Sequence, residues 1–295
     1  MRALYQAGQV GLSFEVYPPK TPDGLEQVYG VVRDLADSRP LFISITYGAG
    51  GSTRDQSLEM AQHIKQRFGL KVTAHFTCVG STLNEIRAWL ALADRIGIEN
   101  IMALRGDPPK GETTFRPVEG GLRFASELVA VIKNEFPRFG IGVAGYPETH
   151  LEAESPQADL ENLKRKVDLG GDVVYTQLFF DNADFFRFRD ACHRLGINAP
   201  IIPGLLPVIN LKQIQRITTL CKAKLPMALV ADLERFADDP AAQLGVGVDW
   251  CARQCRELLA EGVPGIHFYV LNRSDHMRRI LAALPSGAAS LATSG

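Results

Sequence analysis

The chain reads as one α/β domain of the (β/α)8 TIM-barrel class. Strand-like and helix-like segments alternate from end to end, eight strands can be counted, and those strands are rich in Val, Ile and Leu, as expected for parallel strands buried on both faces. An open doubly wound sheet is the competing arrangement. It is weakened because no Gly-x-Gly-x-x-Gly follows the first strand. At 295 residues the length is one that α/β barrels fill as a single unit. The barrel is assigned to residues 1–284, and the small, polar stretch 285–295 to a disordered tail.

In order, Gly11–Tyr17 is the first strand, ended by Pro18-Pro19, and Thr21–Ala36 is a helix opening with a capping threonine and a proline in its first turn. Leu41–Tyr47 is the second strand, and a glycine loop, Gly48–Ser52, leads into the helix Thr53–Arg67. Lys71–Thr77 is the third strand, with the helix Thr82–Ile96 behind it, and the fourth strand lies at Ile101–Leu104, followed after a polar loop by a helix around Gly121–Phe136. Gly140–Tyr146 and Pro156–Leu169 form the fifth pair, Asp172–Phe180 and Ala183–Leu195 the sixth. Pro200–Pro207 is the seventh strand, with helical segments from Leu211 to Phe236 and a long helix at Pro240–Glu261. Gly265–Leu271 is the eighth strand, and a last helix starts at Asp275.

Composition narrows the function classes. Hydrophobic residues make 46% of the chain and charged residues 22%, with a net charge of -1. These are the proportions of a globular protein with no expected nucleic-acid or anionic-membrane partner. No apolar run reaches bilayer length, and the first ten residues lack the apolar core of a signal peptide. The five cysteines form no Cys-x-x-Cys and read as reduced thiols of a cytoplasmic protein. Cys251 and Cys255 share a helical face without histidines nearby, so no metal site is expected.

The organising stretch is Asn100–Pro109. A short buried strand ends in Arg105-Gly106-Asp107, and two prolines stop it. The C-terminal strand edge is where ligands bind in parallel α/β proteins. A structural Arg–Asp pair is the plainer alternative, and the Arg-Gly-Asp tripeptide as an adhesion signal is a chance match. The other strands end in the same manner: Glu15 in the first, Thr46 and Tyr47 in the second, His75 and Thr77 in the third, Tyr146 and Glu148 in the fifth. Gln177 lies in the sixth, and Asn272 and Arg273 follow the eighth. Their gathering at one rim favours a site over scattered core polar groups.

Glu15 lies in an otherwise apolar strand, so poor solvation should raise its pKa and keep it protonated as a general acid. A buried pair with Arg105 is the alternative. Asp107, beside an arginine and glycine amides, should stay ionised. Between His150 and Lys166, Ser155-Pro156 marks a helix start. Asp159, Asn162 and Lys166 then share one face with Arg165 adjacent, an arrangement suited to a diphosphate or ribose. A solvated face is the bland reading of the same run.

Those residues, together with Ser13-Phe14-Glu15, Thr46-Tyr47-Gly48, Ala103–Asp107, Gly145–Glu148, Ala158–Val167, Thr176–Phe180 and His267–Arg273, resemble the methylenetetrahydrofolate reductase family. The match runs from about residue 10 to 280, in order and at family spacing. It covers the catalytic barrel alone, as in the short bacterial form. The resemblance implies an FAD barrel that takes a hydride from NADH or NADPH in a ping-pong reaction. It then reduces 5,10-methylenetetrahydrofolate to 5-methyltetrahydrofolate, feeding methionine synthesis.

By the same resemblance Glu15 is the general acid and Asp107 stands between flavin and folate. Gln177 touches nicotinamide and folate, and Arg273 touches folate. The implied FAD positions are Thr46, Tyr47, Ala49, His75, Arg105, Gly106, Asp107, Ala125, Tyr146, His150, Ala153, Asp159, Asn162, Arg165 and Lys166. A homo-oligomer, dimer or tetramer, is implied as well. The pattern departs at Met227–Asp239, where no counterpart is evident for a Gln and a Phe that some bacterial members set against the folate. Phe236 is the aromatic available there. A different flavin barrel acting on a carbon–nitrogen bond and a non-catalytic folate- or flavin-binding subunit are the competing functions.

Overall fold

The computed structural model describes residues 1–5, 10–46, 54–108, 111–112 and 114–284. Tyr47, Ala49, the glycine loop and the expected tail lie outside the described residues. The strands are β1 (Gly11–Val16), β2 (Phe42–Ile45), β3 (Val72–Thr77), β4 (Asn100–Leu104), β5 (Gly140–Gly145), β6 (Val173–Thr176), β7 (Ile201–Ile202), β8 (Gly204–Leu205) and β9 (Gly265–Tyr269). All pair in parallel, in the order β7-β6-β5-β4-β3-β2-β1-β9-β8.

The two ends of that order are one strand. Pro203 interrupts the expected Pro200–Pro207 segment, leaving β7 to pair with β6 and β8 to pair with β9. A proline has no N–H to give to a ladder. Its carbonyl still accepts from the His267 N–H at 3.0 Å, and the Gly204 N–H turns to the Thr176 hydroxyl at 2.9 Å. The ring of eight barrel strands closes through this divided seventh strand, as the (β/α)8 reading requires. The sixth strand is shorter than expected, ending at Thr176, and just beyond it the Leu178 N–H turns to the Gln177 side-chain oxygen at 2.9 Å instead of a ladder partner.

Alternation decides what faces inward, since successive strand side chains point to opposite faces. Leu12, Phe14 and Val16 of β1 join the main apolar core against the helices, and so do Ile43, Ile45, Ala74, Phe76, Ile266 and Phe268. The intervening Ser13, Glu15, Phe42, Ser44, Thr73, His75, His267 and Tyr269 share the barrel interior. Ladder register sets their heights: Ser13 is level with Phe42 and His267, Glu15 with Ser44 and Tyr269. Tyr5, Phe42, Met102, Val173, Tyr175 and Ile202 pack as a separate interior cluster, with the Tyr5 and Tyr175 hydroxyls 3.0 Å apart.

The outer helices are α1 (Pro22–Ala36), α2 (Arg54–Phe68), α3 (Leu83–Arg95), α4 (Ala125–Glu135), α5 (Pro156–Asp168), α6 (Asn182–Arg194), α7 (Leu211–Cys221), α8 (Met227–Arg235), α9 (Pro240–Ala260) and α10 (Asp275–Ala282). Most bounds fall within two residues of the sequence reading. Helix α4 starts later than Gly121, because Gly121 bridges Thr82 and is packed so that a Cβ there would meet the Ser81 carbonyl at 2.6 Å. The Glu127 carboxylate then accepts the Arg123 and Phe124 N–H groups at 2.6 and 3.1 Å to open the helix. Helices α7 and α8 form a satellite core with Leu178, Phe180, Leu206 and Val208 over the strand C-terminal rim. No helix among the described residues is long and apolar enough to cross a membrane.

Closure leaves no room at Gly204, where a Cβ would press on the Thr176 carbonyl and stand 2.8 Å from the Tyr269 ring. Backbone cannot yield as a side chain does. Gly204→Ala should cost on the order of 2–3 kcal/mol, read as a lower urea midpoint with unchanged slope.

Candidate active site

Two adjoining lobes open at the C-terminal ends of the strands, of about 450 and 590 Å³, sizes typical of small-molecule sites. Leu104, Arg105, Ala144, Tyr146 and His150 line both, so the lobes form one bent trough. The deeper lobe takes Glu15, Thr46, His75, Arg105, Gly106, Asp107, Tyr146, His150 and Gln177 from the expected site residues. The outer lobe takes Arg105, Ala125, Tyr146, His150, Ala153, Asp159, Asn162, Arg165 and Lys166. Arg273 lines neither; it is exposed on the rim and doubly paired with Asp275, at 3.2 and 2.8 Å.

Glu15 is the pivot of the deeper lobe. Its Oε2 lies 3.3 Å from His75 Nε2 and 3.6 Å from His267 Nε2. His75 Nε2 also meets the Ser44 hydroxyl at 2.8 Å, and His267 Nδ1 meets Ser13 Oγ at 2.8 Å. His267 is buried, and its Nε2 has no hydrogen-bond partner. Burial alone would push the Glu15 carboxyl up, but the charge of His75 and the proximity of His267 outweigh it and bring the carboxyl below its ordinary range. This corrects the expectation of a protonated Glu15. The strand is apolar in sequence, yet its inward neighbours are imidazoles contributed by other strands, which favour the anion. Burial, opposed by Glu15, holds His75 below the usual imidazole value. Nor is Glu15 paired with Arg105, whose partner is Glu152.

The rest of the deeper wall is positioned by strand ends. Gly106 has φ +90, and a Cβ there would meet Val79 at 2.8 Å and Thr77 at 3.0 Å. Glycine therefore lets the backbone fold back beneath Asp107, which is exposed on the rim. Gln177 is fixed by its Oε1 accepting the Leu178 N–H at 2.9 Å. Opposite lie Leu178, Leu206, Ile217, Tyr269 and Leu271. None of residues 227–239 lines the trough, Phe236 included; Ile217 of α7 does so instead. Sequence reasoning missed it because a helix facing a satellite core gives no local sign of overhanging the barrel. Leu271 and Asn272 have φ of +51 and +55, a conformation that side chains avoid and functional rims retain. The Asn272 amide holds it by exchanging hydrogen bonds with the Tyr17 backbone at 3.0 and 2.8 Å.

The outer lobe is built on α5. Ser155 Oγ caps it by accepting the Ala158 N–H at 3.1 Å, and Pro156 takes the first helical position. Asp159 accepts the His150 N–H at 2.9 Å, tying the β5–α5 loop to the first turn. Lys166 Nζ donates to the Ala144 carbonyl at 2.5 Å, and burial lowers its pKa to about 8 against the opposing charge of Asp159. Burial also raises the Tyr146 phenol, whose ring meets that of His150 edge-on at 4.6 Å. Arg105, Arg165 and Lys166 thus stand with a helix N-terminus around one lobe, a donor set that suits a diphosphate.

Fold and site together define a TIM-barrel protein with a bent trough at the strand C-terminal rim, an acid–imidazole cluster in one lobe and cations lining the other. The chain belongs to the methylenetetrahydrofolate reductase family, whose profile matches residues 1–285. It is 40% identical over 268 residues to the 5,10-methylenetetrahydrofolate reductase of Escherichia coli, covering 91% of this chain and 88% of that protein. It is also 40% identical over 282 residues to methylenetetrahydrofolate reductase (NADH) 1 of Arabidopsis thaliana, covering 92% of this chain. The chain spans about half the length of the plant relatives it matches, 48% in that case. An uncharacterised Clostridium thermocellum protein, described as binding two copies of 5-methyl-5,6,7,8-tetrahydrofolic acid, shares the fold at TM-score 0.64 and 14% identity. The likeness covers 99% of this chain and 98% of that one.

The histidines make stability pH-dependent. A native pKa below the unfolded value of about 6.5 means that the unfolded chain takes up the proton first. The contribution of His75 is therefore complete above about pH 6.5 and is lost as pH falls below it. Thermal melts from pH 7.5 to 5 should show falling Tm, with a shallower slope in His75→Gln. His150 and His276, also held low by burial, keep that slope from vanishing.

Proposed function

We propose that the chain reduces 5,10-methylenetetrahydrofolate to 5-methyltetrahydrofolate with a hydride drawn from NADH or NADPH through bound FAD. The observation that carries this reading is Glu15, a carboxylate set between two imidazoles at the floor of a trough whose outer half is lined by phosphate-binding groups. FAD suits the residues present. Arg105, Arg165 and Lys166 would hold its diphosphate, Asp159 and Asn162 ribose hydroxyls, and the deeper lobe its ring. When bound, FAD supplies the two-electron carrier that the side chains lack. The plant relatives named for NADH favour NADH as donor here. The same reading puts the chain in the cytoplasm as a dimer or tetramer.

The product keeps its new methyl group on N5, so N10 is the nitrogen that leaves and must receive a proton. In the open lobe Glu15 is the anion. A folate seated over the lobe excludes water and raises the proton affinity of Glu15. The carboxylate takes up a proton from water as the lobe closes and passes it on to N10. As the C–N10 bond breaks, the methylene carbon is left as an N5 iminium, and hydride transfer to that carbon completes the reduction. Asp107, exposed at the lobe edge, favours the cation electrostatically. Gln177 orients the folate ring that carries N5, and Ile217 covers it with an aliphatic wall.

The deciding experiment is an anaerobic visible spectrum of the purified protein. It should show a flavin that bleaches with NADH and recovers on adding methylenetetrahydrofolate; a protein that cannot be loaded with FAD would sink the mechanism. In Glu15→Gln, bleaching by NADH should persist while recovery slows by about 10²- to 10⁴-fold, the usual worth of a general acid. Recovery at the wild-type rate would remove Glu15 from that role.

A further inference from the structure

Arg105 stands where the two lobes meet, and its guanidinium is already engaged. Nε donates to the Gly106 carbonyl at 3.2 Å, and Nη1 and Nη2 donate to the two carboxylate oxygens of Glu152 at 2.6 and 2.7 Å. The guanidinium also lies 5.0 Å from the centre of the Phe115 ring. The partners are unequal: the Arg105 side chain is 22% exposed and that of Glu152 47%. The other cations of the outer lobe are held differently. Arg165 reaches the Asn162 amide oxygen, Lys166 a backbone carbonyl, and Arg123 lies over Phe124. Among the described residues, Arg105–Glu152 is therefore the ion pair within this lobe.

A half-buried guanidinium needs an anion, because leaving it unpaired costs the desolvation of a full charge. A diphosphate presents oxygens at the same bidentate spacing as a carboxylate. An elongated ligand occupying both lobes must cross Arg105, and its anionic group then meets a donor fork that Glu152 has taken. We propose that Glu152 is a place-holding carboxylate. It satisfies Arg105 in the ligand-free barrel, is displaced by the phosphate of the incoming dinucleotide, and so sets the affinity of the cofactor site. The inference rests on the FAD reading above. Glu152 sits on the β5–α5 loop, where its N–H donates to His150 Nδ1 at 3.1 Å, so the displaced carboxylate can swing to solvent without unfolding a helix.

The test is a titration of the flavin-free protein with FAD and with riboflavin, read by quenching of flavin fluorescence, in wild type, Glu152→Gln and Glu152→Ala. Partly exposed pairs are weak, so both variants should bind FAD about fivefold more tightly, ~1 kcal/mol at 1.36 kcal/mol per tenfold. Riboflavin, which has no phosphate to compete, should bind all three proteins alike. FAD affinity that is unchanged or lower in both variants overturns the proposal and makes Glu152 a support for the site. Riboflavin tightening in step with FAD overturns it too, as a general change in the lobe. A wild-type protein that binds neither flavin defeats the FAD reading itself and this inference with it.

Discussion

A closed parallel barrel has a single interior, and every second residue of each strand must occupy it. That constraint governs the rest of this molecule. It turns Ser13 and Glu15 inward while Phe14 and Val16 pack against the helices, and it does the same for Ser44, His75 and His267 on neighbouring strands. Closure depends on the seventh strand, which the missing N–H of Pro203 divides into a half that bonds β6 and a half that bonds β9. Without that junction the two edges would be open, and the polar interior would be wet and unpaired.

Inward polar groups in a narrow tube must find partners among themselves. Ser13 takes one nitrogen of His267, Ser44 one of His75, and Glu15 lies between the two rings. The outcome is a cluster whose proton affinity is shared. In the open site the carboxylate is the anion, and a ring-shaped ligand above it would reverse that balance by removing water. The buried Nε2 of His267, without a hydrogen-bond partner, lies 3.6 Å from that carboxylate.

Charge at the upper end of the trough follows a different logic. There β4 brings Arg105, and α5 brings Arg165 and Lys166, to one lobe, where the Glu152 carboxylate pairs with Arg105. The Glu152 carboxylate is 47% exposed, so its place on Arg105 can be exchanged for the oxygens of a ligand. The tight cluster below and the exchangeable one above divide the work expected of the site between proton handling and anion binding.

The sequence by itself determined the alternation of strands and helices, the closed-barrel class and the rim on which polar residues collect, because those depend on local periodicity and on strand-end positions. It also marked the Ser155-Pro156 helix start and the cationic face of α5, which are set within one turn. What only the tertiary structure decided was the environment of each side chain. Glu15 reads as an isolated acid in its own strand, and becomes an anion because β3 and β9 bring two imidazoles to it. Ile217 reads as one apolar residue of an amphipathic helix, and the satellite core sets it over the trough. Arg105 and Glu152 are far apart in sequence and meet because a strand end and a distant loop share the same rim. Electrostatics and overhanging walls arise between elements, and no local pattern in the sequence records them.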